Sequence, residues 1–328
     1  MKTRQLGTNG FEVSEVGLGC WQLGPDWGKT LSMEAGHAIL NEAVNQGITF
    51  LDTADVYGSG RSEEVIGAFV QQCPTPLRIA TKFGRDGKVY PASYTESALR
   101  EAVHGSLERL GVESLDLLQL HCIPMEVLQE GAVFDWLRAL QAEGLIKTFG
   151  ASVESVEEGL LCLEQEGITS LQVIFNIFRQ KLVDELLPQA QAKGVGIIVR
   201  LPLASGLLTG RFTRETRFAA TDHRSYNRDG AFFNVGETFA GLPFEKGVEL
   251  ADTLQRDFLP DSMTMVQFAL RWILDYDAVS TVIPGASSPQ QISSSASASS
   301  LEPLPEELHA ALSDFYVDKV HEHIRGPY

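Results

Sequence analysis

The stretch Val133-Phe134-Asp135-Trp136-Leu137-Arg138-Ala139-Leu140-Gln141-Ala142-Glu143-Gly144-Leu145-Ile146-Lys147-Thr148-Phe149-Gly150-Ala151 reads as two elements and a joint. Residues 133–143 are amphipathic, with Val133, Leu137 and Leu140 on one helical face. Gly144 stands where a left-handed residue ends a helix, and 146–151 is an apolar run of strand length. Gln46-Gly47, Glu166-Gly167 and Lys193-Gly194 repeat the joint, each with an apolar run soon after.

Working outward, this rhythm predicts strands at 16–20, 49–52, 78–82, 115–120, 146–151, 171–176, 196–200 and 281–284. Helices are predicted at 32–45, 62–71, 94–110, 133–143, 153–166, 184–192 and 262–274, with a last one opening near Pro289. Eight strands each followed by a helix imply an α/β fold, a (β/α)8 TIM barrel spanning 1–328 as one domain, because a closed ring leaves no sheet edge bare. Asn9-Gly10 between two extended segments marks an N-terminal β-hairpin over 1–15 that can plug the barrel bottom. Two regions break the rhythm. Residues 205–258 read as a long loop after strand seven, and the Ser/Ala-rich 287–300 reads as a helix of weak propensity; 301–328 reads as a C-terminal tail.

Composition narrows the function. The 328 residues hold 43 Asp and Glu against 26 Lys and Arg, a formal net charge of −17, which repels nucleic acid over most of the surface. There is no apolar run of about 18 residues to span a membrane and no apolar segment near Met1 to act as a secretion signal, so a cytoplasmic protein is expected. Cys20, Cys73, Cys122 and Cys162 are dispersed, which indicates neither a disulfide framework nor a zinc knuckle, and no metal is expected. Oligomeric state is not legible.

In a barrel, reactive groups collect where strands end at their C-terminal edge. Strand two ends at Asp52, strand three at Lys82 and strand four at His121, while Tyr57 follows just inside the first of these loops. Neighbouring strands lie about 4.8 Å apart, so these groups share one rim. Singly, each has a plain structural role: Asp52 as a cap, Lys82 as its ion-pair partner, His121 as a satisfied core histidine, Tyr57 as packing. Jointly they form a proton-delivery set for a carbonyl that receives a hydride. Lys82 favours ionisation of the phenol, Asp52 keeps Lys82 charged, and His121 donates a hydrogen bond to the carbonyl oxygen.

Three segments carry a family resemblance: Phe50-Leu51-Asp52-Thr53-Ala54-Asp55-Val56-Tyr57-Gly58 with Ser62-Glu63, then Ala80-Thr81-Lys82-Phe83-Gly84, then Asp116-Leu117-Leu118-Gln119-Leu120-His121. With these in order, almost the whole chain resembles the aldo-keto reductases, NAD(P)H-dependent carbonyl reductases on an (α/β)8 barrel, and the opening through Gly19-Cys20-Trp21 resembles their bacterial branch. The resemblance implies a catalytic tetrad of Asp52, Tyr57, Lys82 and His121, NADPH as cofactor and a small carbonyl compound as substrate. It assigns cofactor contacts to Cys20, Trp21, Ser152, Gln172, Arg200, Leu203, Ala204, Gly206, Leu208, Gly210, Gly285, Ser287, Gln291 and Ser295. Four features depart from the family pattern. Val153 replaces an asparagine, Arg200 an aromatic ring, Ser287 and Ser288 stand near a missing basic residue, and Ser294 and Ser295 replace a glutamate and an asparagine. Arg211, Arg214, Arg217, Arg224 and Arg228 of the long loop are either compensating cations or solvated charges.

Two other classes fit parts of the chain. A nicotinamide-binding regulatory subunit needs the cofactor segments and not the tetrad, and a Schiff-base aldolase needs a neutral Lys82, which a neighbouring Asp52 opposes.

Overall fold

The computed structural model describes residues 1–24 and 31–328. A two-stranded hairpin, β1 (Thr3–Gln5) and β2 (Glu12–Ser14), pairs Thr3 with Ser14 and Gln5 with Glu12. Eight parallel strands follow: β3 (Leu18–Gly19), β4 (Phe50–Asp52), β5 (Arg78–Phe83), β6 (Leu115–His121), β7 (Ile146–Ser152), β8 (Ile168–Ile174), β9 (Gly196–Arg200) and β10 (Val279–Val282). Each pairs with its sequence neighbour, and bridges from Val16 to Val282 and from Gly19 to Gly285 bring the first strand back to the last. The (β/α)8 barrel expected from the alternation is the fold.

The helices are α1 (Met33–Asn45), α2 (Arg61–Val70), α3 (Glu96–Leu110), α4 (Met125–Glu130), α5 (Ala132–Ala142), α6 (Val156–Leu163), α7 (Leu186–Ala192), α8 (His223–Tyr226), α9 (Phe244–Asp257), α10 (Met265–Leu274), α11 (Pro289–Ala296) and α12 (Glu306–Phe315). Several start where the sequence supplies an oxygen for orphan amides: Ser32 caps α1, Thr95 caps α3, and Ser155 with Glu158 and Thr264 with Gln267 form capping boxes at α6 and α10.

Side-chain alternation along the strands sorts the interior into levels. Phe50, Ala80, Leu117, Ile198 and Ile283 pack as one buried cluster with Leu6 and Val13 of the hairpin, which seals the bottom. The approach is close: a Cβ on Gly196 would come 2.6 Å from the Gly7 amide nitrogen. Two residues further along β4, β5 and β6, the same inward face carries Asp52, Lys82 and Gln119. The odd-numbered faces of these strands, with Leu51 and Ile79, and Leu118 and Leu120 of β6, pack outward in the main core.

Three sequence expectations need correction. The sixth barrel strand runs Ile168–Ile174, earlier than 171–176, because strand pairing with β7 begins at Phe149 and Ile168. The stretch 205–258 is not an uninterrupted loop: it contains α8 and ends in the 14-residue α9, whose Phe244, Val248, Ala251 and Leu254 are buried at helical spacing. The 301–328 segment is not a bare tail, since α12 buries Leu312 and Phe315. The Ser/Ala-rich stretch does form a helix, α11.

The last residues brace the long loop. The Arg325 guanidinium donates to the carbonyls of Gly241 and Arg228 and pairs with Asp229 at 2.7 Å, while Arg179 donates to the Pro327 carbonyl at 2.7 Å.

Candidate active site

The β4, β5 and β6 ends meet at one buried ammonium. Lys82 Nζ donates to Asp52 Oδ2 at 2.6 Å, to the Thr53 carbonyl at 2.7 Å and to the Tyr57 hydroxyl oxygen at 3.4 Å. An ammonium has three donors and no acceptor, so all three are placed and the phenol keeps its own proton for another partner. Asp52 is held from its other side by Gln119 Nε2 at 3.0 Å and Gln172 Nε2 at 2.7 Å. The turn carrying Tyr57 is fixed by left-handed residues at Gly58, Ser59 and Gly60, and by the Ser62 hydroxyl, which donates to the Cys20 carbonyl.

Burial pushes Lys82 toward the neutral amine, but Asp52 and then Tyr57 outweigh it, and its pKa stands above the ordinary lysine value. A permanently charged lysine is a poor nucleophile, which removes the basis for Schiff-base chemistry. For Tyr57, burial raises the pKa, Lys82 draws it back and Asp52 raises it again; the net direction is up. Lys82 acts in the expected direction, favouring the ionised phenol, but burial outweighs it, and the hydroxyl is protonated at neutral pH. The His121 ring lies edge-on to Tyr57, with centroids 5.8 Å apart. Burial first, then Arg85, Lys82 and Arg200, hold His121 well below the usual imidazole pKa, so it is neutral and carries one N–H. Its Nδ1 is buried without a hydrogen-bond partner.

Beside this set lies a cluster that the sequence did not reveal. Arg85 pairs with Glu154 at 2.6 Å and with Glu237 at 2.9 Å, and Arg200 pairs with Glu237 at 3.4 Å. Arg200 also donates to the Cys122 sulfur and the Val153 carbonyl, both at 3.4 Å. Cys122, Glu154 and Glu237 present ligand atoms within 4.8 Å of one another, but two guanidiniums already neutralise the carboxylates. Gln119 was also missed as a site residue, although it lies two positions before His121 and therefore on the same face of β6.

The mouth holds a cavity of about 880 Å³, lined among others by Asp52, Tyr57, Trp21, Arg200, Glu237 and Ser287. Of the sequence-expected cofactor residues, Cys20, Trp21, Gln172, Arg200, Leu203, Gly206, Gly285, Ser287, Gln291 and Ser295 line it. Ser152 sits behind the wall, its hydroxyl on Gln172 Oε1, and the Gln172 amide nitrogen is committed to Asp52. Ala204 and Leu208 are buried in the main core and, with Gly210, are not in the lining. Trp21 packs near Tyr57, His223 and Phe233.

The cavity fits a nicotinamide dinucleotide on three counts. Its volume falls in the range of about 300–1,000 Å³ found for ligand sites. Buried Arg200 Nε and Gln22 Oε1 on its wall have no hydrogen-bond partner. Leu201, Ser205 and Gly206 on its wall are left-handed, and at Gly206, φ +104°, a Cβ would collide with the Phe212 ring.

A family model described as "Aldo/keto reductase family" matches residues 15–316. The uncharacterized oxidoreductase YqkF of Bacillus subtilis is 31% identical over 320 residues, covering 95% of each chain. The NADH-specific methylglyoxal reductase of Escherichia coli is 28% identical, covering 89% of this chain and 91% of its own. Among solved structures, the holo form of aldo-keto reductase AKR11C1 from Bacillus halodurans superposes with a TM-score of 0.78 at 28% identity, covering 99% of this chain and all of that one.

Proposed function

The chain belongs to the aldo/keto reductase family, and from that premise we propose that it reduces aldehydes or ketones to alcohols with NADPH, Tyr57 giving the proton. The observation that carries this reading is the complete use of the Lys82 ammonium on Asp52, Thr53 and Tyr57, which leaves the phenol proton aimed at something other than its neighbours. When bound, the nicotinamide supplies the hydride. The chain's own residues do the rest. Trp21, Gln22, Arg200, Gly285 and Ser287 would hold the dinucleotide, His121 orients the carbonyl oxygen with its N–H, and Tyr57 protonates that oxygen as negative charge develops. The phenolate left behind is stabilised by Lys82, which Asp52 keeps charged.

NADPH is preferred in this proposal because Arg211, exposed on the cavity wall, has no ionic partner among the described residues and offers a cation to a phosphate. The four free cysteines, three of them buried, suit a reducing compartment, and a cytoplasmic location belongs to the same proposal. No helix among the described residues is long and apolar enough to cross a membrane.

The test is a fluorescence titration with NADPH and NADH followed by an aldehyde panel. Tyr57→Phe is expected to cut carbonyl reduction about 10²- to 10⁴-fold while dinucleotide affinity stays within a few-fold. Undiminished turnover by that variant would remove Tyr57 as the donor.

A further inference from the structure

The buried cluster beside the reacting end has a definite order from the cavity outward. Glu237 and Arg200 line the cavity; Arg85 and Glu154 stand behind them. Glu237 comes from the long loop after β9, Arg85 from the loop after β5, Glu154 from the loop after β7 and Arg200 from the end of β9, so four segments meet in one cluster. All four side chains are less than one-fifth exposed. The cluster is electrostatically continuous with the chemistry, since Arg85 and Arg200 both act on His121 and Glu237 acts on Tyr57.

The cations Lys82, Arg85 and Arg200 face the carboxyl groups of Asp52, Glu154 and Glu237, and each cation has a carboxyl oxygen within 3.4 Å. Within this cluster both guanidiniums are ion-paired, and the carboxylate of the cluster that lines the cavity is Glu237. Charge of the same sign in a partly dehydrated pocket excludes a ligand more effectively than poor shape does.

We propose that Glu237 is a specificity-determining residue: by covering Arg85 and Arg200 at the cavity wall it restricts the enzyme to uncharged carbonyl compounds and turns away those that carry a carboxylate. This rests on the reductase reading above. Glu237 is joined to the dinucleotide side of the cavity through Ser205, whose hydroxyl donates to the Glu237 carbonyl at 3.2 Å and accepts from the Phe239 amide at 3.1 Å, so its carboxylate is held in register with the mouth. Removing its charge leaves two guanidiniums with only Glu154 between them, a net positive wall where the substrate enters.

The experiment compares kcat/KM for aldehydes in matched pairs, such as butanal and 4-oxobutanoate, which differ only in a terminal methyl or carboxylate. The wild type is expected to favour the neutral member by about tenfold or more, and Glu237→Gln to shift that ratio by about tenfold toward the carboxylate, mainly through a lower KM for it. Glu237→Asp, which keeps the charge, is expected to retain the wild-type preference. Arg85→Gln moves the ratio the opposite way, because it leaves Glu237 less neutralised, and it decides the matter if Glu237→Gln does not fold. A ratio unchanged within twofold in Glu237→Gln, or an equal shift in Glu237→Asp, overturns the inference while leaving the reductase reading intact. A wild type that binds NADPH and reduces no member of any pair overturns both.

Discussion

At the scale of single residues, the centre of the molecule is a charge that cannot be removed piecemeal. Lys82 and Asp52 are 1% and 2% exposed, and breaking a buried pair by deleting one partner costs about 3–5 kcal/mol because the other charge stays behind unpaired. Lys82→Met is accordingly expected to lower the unfolding free energy measured by urea denaturation by that amount as well as abolish turnover; a variant as stable as the parent would show that Asp52 finds compensation elsewhere. Asp52, Lys82 and His121 were legible in the sequence because each ends an apolar run on consecutive strands, and barrel geometry brings such positions together. Glu237 was not, since it sits in a loop without a period and owes its place to partners at Arg85 and Arg200, more than thirty positions away in sequence. The sign of the Tyr57 shift was also illegible, because it depends on burial, which spacing alone does not report.

At the scale of elements, the segment between β9 and α9 is held by an aromatic cluster of Phe212, Phe218 and Phe239 on Phe244, and by polar contacts. The Asn227 side chain accepts from the Phe232 and Phe233 amides at 3.0 Å and donates to Thr238 at 3.1 Å, and Glu237 adds the ionic clasp. Burial works against the Glu237 carboxylate, but Arg85 and then Arg200 outweigh it and hold its pKa down at about 2. A carboxyl with a depressed native pKa stabilises the closed form fully above its ordinary value of about 4.3, and that contribution is lost as pH falls toward 2. Glu154 has the opposite sign: burial and then Glu237 raise it to about 7, so its protonation on acidification does not weaken the fold. Amide exchange across 223–243 is thus expected to accelerate below about pH 4.3, before the barrel strands respond; simultaneous loss of protection in both would show that the clasp has no independent role. The sequence reading missed α9 because the Gly- and Arg-rich residues before it carry no period, although Phe244, Val248, Ala251 and Leu254 do.

At the scale of the whole molecule, stability and chemistry sit at opposite ends of the barrel. Leu6 and Val13 fill the bottom while the reacting groups line the mouth, so Leu6→Ala is expected to cost about 2–5 kcal/mol in equilibrium unfolding with kcat per folded molecule unchanged. A drop in kcat matching the loss of stability would mean that the plug also shapes the mouth. The barrel itself was readable because eight strand-and-helix units leave few other closed arrangements, whereas strand boundaries drifted by a few residues where pairing with a neighbour, not local composition, sets the ends. The bridges from Val16 to Val282 and from Gly19 to Gly285 join nearly the two extremes of the chain. Until β10 has been synthesised and docked, β3 and β9 both carry naked backbone donors and acceptors, each a template for a foreign strand. A nascent chain of this protein is therefore most prone to aggregate late in its synthesis, when it is nearly full length and one strand short, and its yield in cells will depend on how long that interval lasts.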